Sequence, residues 1–596
     1  MDSQDSTTYV GRPTPRVDGQ QKVTGSARYA AEYDAPGLLH GCIVSAGIAH
    51  GRIVSIDATA ALELPGVIDV FTHLNRPARI SDEPIDYMDW VGPPGQPHQP
   101  LQDDRVLFSG QPIALVVADH FEAARDAAGL VQVRYARRLH ATDLEEEVAH
   151  AYRPPKKRLG IPDPPKPRGD FEAAFDASPV QLVADYHTPA EHHNPMEPFA
   201  TTCIWNSDER GGGELLIHDK TQGSQSVKDY IGSVFSLRDA KVRVQNTFVG
   251  GAFGSGLRPQ QTVFLAVMAA LVFERSVRVT MTRDQMFGLS YRPETLQTVL
   301  LGADKSGRLN AIGHHAVAGT STFEDHQEQV VNWSTLLYHA EHTQQSHRLA
   351  ALHTNTPSDM RAPGAVIGMF AIESAMDELA HKLRMDPLQL RLANYTDRDE
   401  NTDKPFSSKS LQRCYERGAK AFGWDRRTLE PGSMRDEETG ELIGWSMASG
   451  IWETMVYQTS ARATLSADGR LTVASATSDI GTGTYTVMAQ LGADALGLPI
   501  ERVTALLGDS SLPKAPVEGG SWAAASTGSA VQFACDKLKK ELVLATWKID
   551  GRPLGRVLVD EVEFVGGRIR RRDDPSVSVS LQQVMAASGK HEIAVK

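Results

Sequence analysis

The sequence predicts a large α+β protein of several domains, and three observations carry that reading. Its 596 residues are enough for about three or four domains at roughly 150 residues each. A proline-rich basic stretch, Arg153 to Gly169, divides the chain. Beyond it, a turn rich in glycine or Ser/Thr leads into a helix three times over.

Composition narrows the function classes. Hydrophobic residues make up 41% and charged residues 23%, the balance of a soluble globular protein rather than a disordered, collagenous or coiled-coil one. The net charge of −13 leaves no basic excess for broad nucleic-acid binding. Cys42, Cys203, Cys414 and Cys535 are far apart, with no CxxC or iron–sulfur spacing. The segment Met1 to Thr8 is polar, with neither an apolar signal core nor a twin arginine. The longest apolar run, Val263 to Phe273, falls well short of the roughly 20 residues that span a bilayer, and reads as a buried helix. A cytoplasmic chain is expected, or one carried to the periplasm by a signal-bearing partner.

In chain order, Gly41–Ala46 and Pro112–Ala118 (PIALVVA) read as strands and Phe121–Ala128 as a helix. Ser81 to Asp104 is loop-rich. With six prolines and six basic residues against one aspartate, residues 153–169 read as an extended linker. Strands and helices then alternate to about Asn394, and the polar stretch Thr396–Ser408 precedes a final block. The expected segments are 10–150, a linker at 151–169, 170–400 and 409–596.

The alternating Lys241–Val249 leads into GGAFGSG (Gly250 to Gly256) and an apolar helix near Thr262–Phe273. Leu471–Ile480 leads into GTGTYT (Gly481 to Thr486) and a helix ending at Gly497. Gly519-Gly520-Ser521 precedes a third helix reaching about Leu544, with Ser526 and Thr527 as expected N-caps. Helix N-termini attract anions, and glycine lets a backbone approach a ligand closely. Three such turns suggest an extended anionic cofactor held by backbone. Gly251-x-x-Gly254-x-Gly256 is not the dinucleotide GxGxxG, and no GK[ST] follows. Arg361 precedes a helix expected over Ala365–Arg384; it either presents donors to an oxyanion or pairs with Asp359 or a neighbouring carboxylate. His192-His193 and His339-x-Glu341-His342 match no metal-ligand spacing. A prolyl loop accounts for the first and a solvated helix face for the second, so no protein-ligated metal is expected. No GxSxG elbow occurs.

VGGAFGSG (249–256), DMRAPG (359–364), MDPLQLRLAN (385–394), DIGTGTYT (479–486) and GGSWAAASTGSA (519–530) resemble the molybdenum-binding subunit of the xanthine dehydrogenase/aldehyde oxidase family. RVDGQQKVTGSARYAAEY (16–33) and SGQPIALVVADHFEAARDAA (109–128) are similar to its opening domain. The matches run in family order, and the sequence looks most like bacterial aldehyde dehydrogenases of three subunits. The resemblance implies an N-terminal α/β hammerhead domain followed by two molybdopterin-binding α+β domains, the last incomplete.

The implied cofactor is molybdenum–molybdopterin in its cytosine dinucleotide form, with molybdenum held by the pterin dithiolene. By similarity, Gln222 lies near the metal's oxo group, Phe253 and Gly254 border the metal centre, and Gly250, Gly251 and Ala252 bind the cofactor. Arg361 stabilises substrate or transition-state charge. Gly481, Thr482, Gly483, Thr484, Ala525 and Ser526 line the pterin and its phosphates. The implied reaction oxidises an aldehyde to a carboxylic acid with water as oxygen source, passing electrons to iron–sulfur and FAD partner subunits. Purine-oxidising members carry a glutamate where Leu257 stands, which disfavours a purine or other N-heterocycle and favours an aldehyde. The family's general-base glutamate lies in a GxGE motif that is not found after Ser526; Glu518, Glu541, Glu561 and Glu563 lie in other contexts. A fragment, one of two polypeptides, or an inactive truncated product is therefore expected. A non-catalytic partner-binding subunit and an unrelated nucleotide-binding enzyme are the alternatives from other classes.

Overall fold

A computed structural model describes residues 9–77, 80, 92–207, 213–237 and 241–596. PIALVVA is a strand, Pro112–Ala118, buried at every position. It pairs antiparallel with Leu39–Ser45 on one side and Val67–Thr72 on the other. Leu39–Ser45 in turn pairs parallel with Val277–Thr280, and Gly41 is needed there, since a β-carbon would come within 2.8 Å of the Val279 side chain. One seven-stranded sheet results, in the order Val242–Gln245, Gly213–Asp219, Ala200–Ser207, Val277–Thr280, Leu39–Ser45, Pro112–Ala118, Val67–Thr72. Three of its strands precede the proline-rich stretch and four follow it. The helix Gln261–Phe273 packs on this sheet and is apolar on every side, which suits it only to a core.

The proline-rich stretch departs from the linker reading. Its prolines do exclude helix and strand, leaving isolated bridges at Tyr152–Leu349 and Arg168–Thr343. It is nevertheless fastened down: Arg158 is 2% exposed and bonds Asp359 and the Gln327 carbonyl. A guanidinium can be buried where a carboxylate meets it. Of the Ser81–Asp104 loop, residues 81–91 lie outside the described residues.

A second sheet has the order His342–Leu352, Leu309–Ser321, Thr295–Ala303, Val180–Thr188, with the helix Ala365–Leu383 against it. The third, Val503–Leu506, Leu471–Ala474, Arg462–Ser466, Glu592–Val595, is covered by the helices Thr484–Leu496, Ala523–Thr546 and Leu581–Ser588. Two strands are shorter than their alternation suggests. Lys241–Val249 pairs only over Val242–Gln245, because Asn246 turns its N–H to the Gly508 carbonyl at 2.8 Å. Leu471–Ile480 ends at Ala474: Ser475 makes a last bond to the Leu506 carbonyl of the neighbouring strand, and Ala476 turns its N–H to the Pro513 carbonyl. No helix among the described residues is long and apolar enough to cross a membrane.

Candidate functional site

Gln222 bonds the first glycine turn and the residues just ahead of the other two. Its Oε1 accepts from the N–H groups of Gly254 (3.1 Å) and Gly256 (3.0 Å), and its Nε2 donates to the Glu518 carbonyl at 2.5 Å. Its backbone carbonyl accepts from the Glu518 N–H and the Ser478 hydroxyl. Those two acceptor contacts fix which end of the amide is oxygen, and one Nε2 hydrogen remains unassigned.

The 250–256 turn is held from both sides. Glu197 accepts from the Gly250 N–H at 2.7 Å and the Ala30 N–H at 3.2 Å. Burial raises the Glu197 pKa and lowers that of Lys220, whose ammonium donates to Ser255 Oγ at 3.0 Å. Burial pushes Asp219, next along the chain, up to about 7. Gly254, at φ +112°, lies so close to the 359–361 loop that a β-carbon would sit 1.9 Å from the Asp359 carbonyl oxygen. The Arg361 N–H donates to the Phe253 carbonyl at 2.9 Å, closing the two loops together. Phe253, Ala362 and Ser521 take φ near +60° without being glycine, a strain of about 1–2 kcal/mol each that characteristically gathers at functional sites.

Arg361 and Asp359 do not pair, which overturns one of the two readings of that arginine. Asp359 is buried against Arg158, which holds its carboxyl below the usual carboxylate range despite burial. Arg361 is exposed just ahead of the helix Ala365–Leu383, and its guanidinium has no ion-pair partner among the described residues. Asp359 also belongs to a buried trio with His326 and Glu328 whose ligand atoms lie within 4.8 Å. Arg158 occupies the Asp359 carboxylate, and Glu328 accepts from the Gly364 N–H at 2.8 Å. The trio is thus a brace for the 359–364 loop.

The histidine pairs are structural, in ways their spacing does not show. His192 lies in a two-residue strand against Tyr291–Arg292, and buried His193 bonds the Asp359 carbonyl at 2.8 Å. His339 meets Glu400, and His342 opens a strand rather than lying on a helix face, its Nδ1 accepting from the Asp170 N–H.

The two later helices start differently. Ahead of Thr484–Leu496, the Asp479 carboxylate accepts from the N–H groups of Gly481, Gly483 and Tyr485. Those donors are spent within the chain, but Gly481 and Gly483 face no protein atom within 4 Å of a β-carbon position. Arg16, from the far N-terminal segment, bonds the Gly481 carbonyl at 2.9 Å. The helix Ala523–Thr546 has no side-chain cap, so Ser526 and Thr527 are not N-caps. Ser526 lies one turn in, its N–H already bonded to the Trp522 carbonyl, and its hydroxyl accepts from the Tyr457 N–H at 2.9 Å. Ala525 is half-buried beside it. The sequence singled out Glu518 only to set it aside, as lying outside a GxGE context. It is buried, its Oε1 lies 3.5 Å from the Thr482 hydroxyl, its Oε2 has no hydrogen-bond partner among the described residues, and burial pushes it up to about 8. The signal was its place directly before Gly519-Gly520.

Comparison with known proteins gives the family. The model of the aldehyde oxidase and xanthine dehydrogenase a/b hammerhead domain matches residues 24–139, and the molybdopterin cofactor-binding domain models match 154–395 and 417–595. The aldehyde oxidoreductase molybdenum-binding subunit PaoC of Escherichia coli is 36% identical over 91% of this chain and 71% of its own length. The xanthine dehydrogenase molybdenum-binding subunit of Escherichia coli O157:H7 is 28% identical over 89% of this chain and 72% of its own. In fold, the reconstituted CO dehydrogenase from Oligotropha carboxidovorans superposes with a TM-score of 0.79 at 19% identity, covering 98% of this chain and 78% of that one. The chain belongs to the molybdenum-binding subunits of the xanthine dehydrogenase/aldehyde oxidase family, which are molybdopterin-dependent oxidoreductases.

Proposed function

We propose that this chain is the molybdenum subunit of an enzyme that oxidises aldehydes to carboxylic acids, with water as the oxygen source. The observation that carries the reading is the Gln222 junction, which joins the 250–256 turn to the loop before the uncapped helix Ala523–Thr546. The residues present fit a long anionic pterin. Open glycines at 481 and 483 allow close approach, an uncapped helix start favours phosphate, and Gln222 and Glu518 keep unassigned polar atoms. In this reading residues 10–150 are the hammerhead domain, 170–400 and 409–596 the two cofactor domains, and 151–169 the strap between them. The cofactor is taken to be the cytosine dinucleotide form. When bound, it supplies a two-electron redox centre at which an oxygen from water is transferred.

The chain's own residues position and discriminate. Gln222 would offer its remaining N–H to the cofactor, its other polar atoms being held by Gly254, Gly256 and Glu518. Gly250 to Gly254 form the wall beside it, with Phe253 exposed at the lip. Arg361, unpaired by any carboxylate among the described residues, offers a fixed positive charge to oxygen-centred charge developing on substrate. Leu257 joins Val517 and Trp522 in an apolar cluster, which supplies no hydrogen bonds to a purine and suits an apolar or aromatic aldehyde. Electrons leave to iron–sulfur and FAD subunits, since this sequence has no cysteine spacing for a cluster. The test is oxidation of benzaldehyde in ¹⁸O-water by the chain co-expressed with its partner subunits. Label in the benzoate, scaling with molybdenum content, is expected; unlabelled product or a fully assembled complex without molybdenum sinks the reading.

A further inference from the structure

Glu518 is a carboxyl out of place. It is 5% exposed, and among the described residues its Oε2 is buried without a partner and its Oε1 has only the Thr482 hydroxyl at 3.5 Å. The charged group that faces it is the Asp479 carboxylate, which repels a second negative charge. Its backbone is clamped on both sides by Gln222, which fixes where the side chain starts. Burial and Asp479 together push its pKa up to about 8, which keeps it protonated at neutral pH. A protonated carboxyl is a hydrogen-bond donor, and this one lies between Gln222 and the turn whose glycines face open space.

We propose that Glu518 is a cofactor-binding residue whose carboxyl hydrogen-bonds a polar atom of the molybdopterin group, beside Gln222. The inference rests on the molybdopterin reading above. It assigns the carboxyl a partner that the chain itself does not supply, and it explains why a buried acid persists where an apolar residue would pack without penalty.

The chain is expressed with its partners, and molybdenum per chain and pterin fluorescence of the denatured protein are measured for wild type, Glu518→Gln and Glu518→Leu. Glutamine keeps a donor at the same reach, so it is expected to load within twofold of wild type. Leucine keeps the volume without the donor, and loading is expected to fall at least tenfold. Melting of the cofactor-free chain separates binding from folding: Glu518→Leu removes a buried unpaired carboxyl, so its Tm is expected at or above wild type. Unchanged loading in Glu518→Leu overturns the inference, as does equal loss in both variants, or loss accompanied by a lower cofactor-free Tm. Wild-type protein without molybdenum or pterin overturns the molybdopterin reading itself. Loaded wild type with an unimpaired leucine variant overturns Glu518 alone.

Discussion

At Gly254 a β-carbon would sit 1.9 Å from the Asp359 carbonyl, and at Gly250 one would sit 2.6 Å from the Glu197 Cβ; at Gly481 and Gly483 one would meet nothing within 4 Å. In sequence the two turns look alike, glycine-rich and opening a helix. In the fold they are opposites. The first is glycine-rich because chain packs on chain, and its N–H groups are consumed by Glu197 and Gln222. The second is glycine-rich because of its backbone angles, φ +106° and +95°, and its surface is left approachable. A glycine turn is thus not one signal: it marks either a tight internal joint or a ligand-facing rim.

Substitution should break the likeness. Gly254→Ala is expected to cost about 4 kcal/mol or more, since the clash is with backbone and cannot be relieved by a rotamer. Denaturant melts of the cofactor-free chain would show it as a large fall in midpoint; an alanine tolerated within about 1 kcal/mol would mean the 250–256 and 359–361 loops do not meet. Arg158→Met tests the brace behind the same joint. It strands a buried Asp359 carboxylate, which costs about 3 kcal/mol, and the same melts read it. Substituting Asp359→Asn in the same chain is expected to recover part of the loss.

How much of this was legible from sequence follows the same division. Periodicity and continuous apolar runs placed the helices at 121–128, 261–273 and 365–383 and the buried strand Pro112–Ala118 within a few residues. Gln222, the 250–256 turn and the 359–364 loop were singled out from motifs, and the fold brings them into contact. Long-range pairings were not legible. Nothing local tells that Arg158 in a proline-rich stretch reaches Asp359, or that Leu39–Ser45 borders Val277–Thr280. Nor does a capping residue declare itself when the cap is Asp479, five residues before the helix. Glu518 was named and set aside because it lies outside a GxGE motif; only burial makes it notable.

Gly483→Ala probes the open rim. With no atom in the way, only the backbone angle resists, at about 1–2 kcal/mol. Folding should survive while molybdenum content drops, because the added methyl lies where a ligand approaches. Equal loss of stability in Gly483→Ala and Gly254→Ala would erase the distinction between the turns.

The smallest effect is in pH, and it too separates the two sites. Asp219 lies behind the first turn and Glu518 beside the second; burial raises them to about 7 and about 8. A carboxyl whose folded pKa lies above its unfolded value holds its proton more tightly in the native state. Its stabilisation is complete below the unfolded pKa near 4 and is lost as pH rises through the folded value. Between pH 6 and 7 each group is expected to remove at most about 1 kcal/mol from the cofactor-free chain, a melting shift of about a degree. Asp219→Asn and Glu518→Gln should each flatten that slope. Buried His314 and His347, lowered to about 3 and about 4, act in the opposite direction, and their stabilisation is lost only as pH falls below about 6.5. Loading with cofactor sharpens the contrast: a hydrogen bond from the Glu518 proton raises its folded pKa further, so its slope should extend to higher pH, while that of Asp219 still ends near pH 7. If loading extends both slopes equally, Asp219 also faces the ligand, and the first turn is not the sealed joint that its glycines describe.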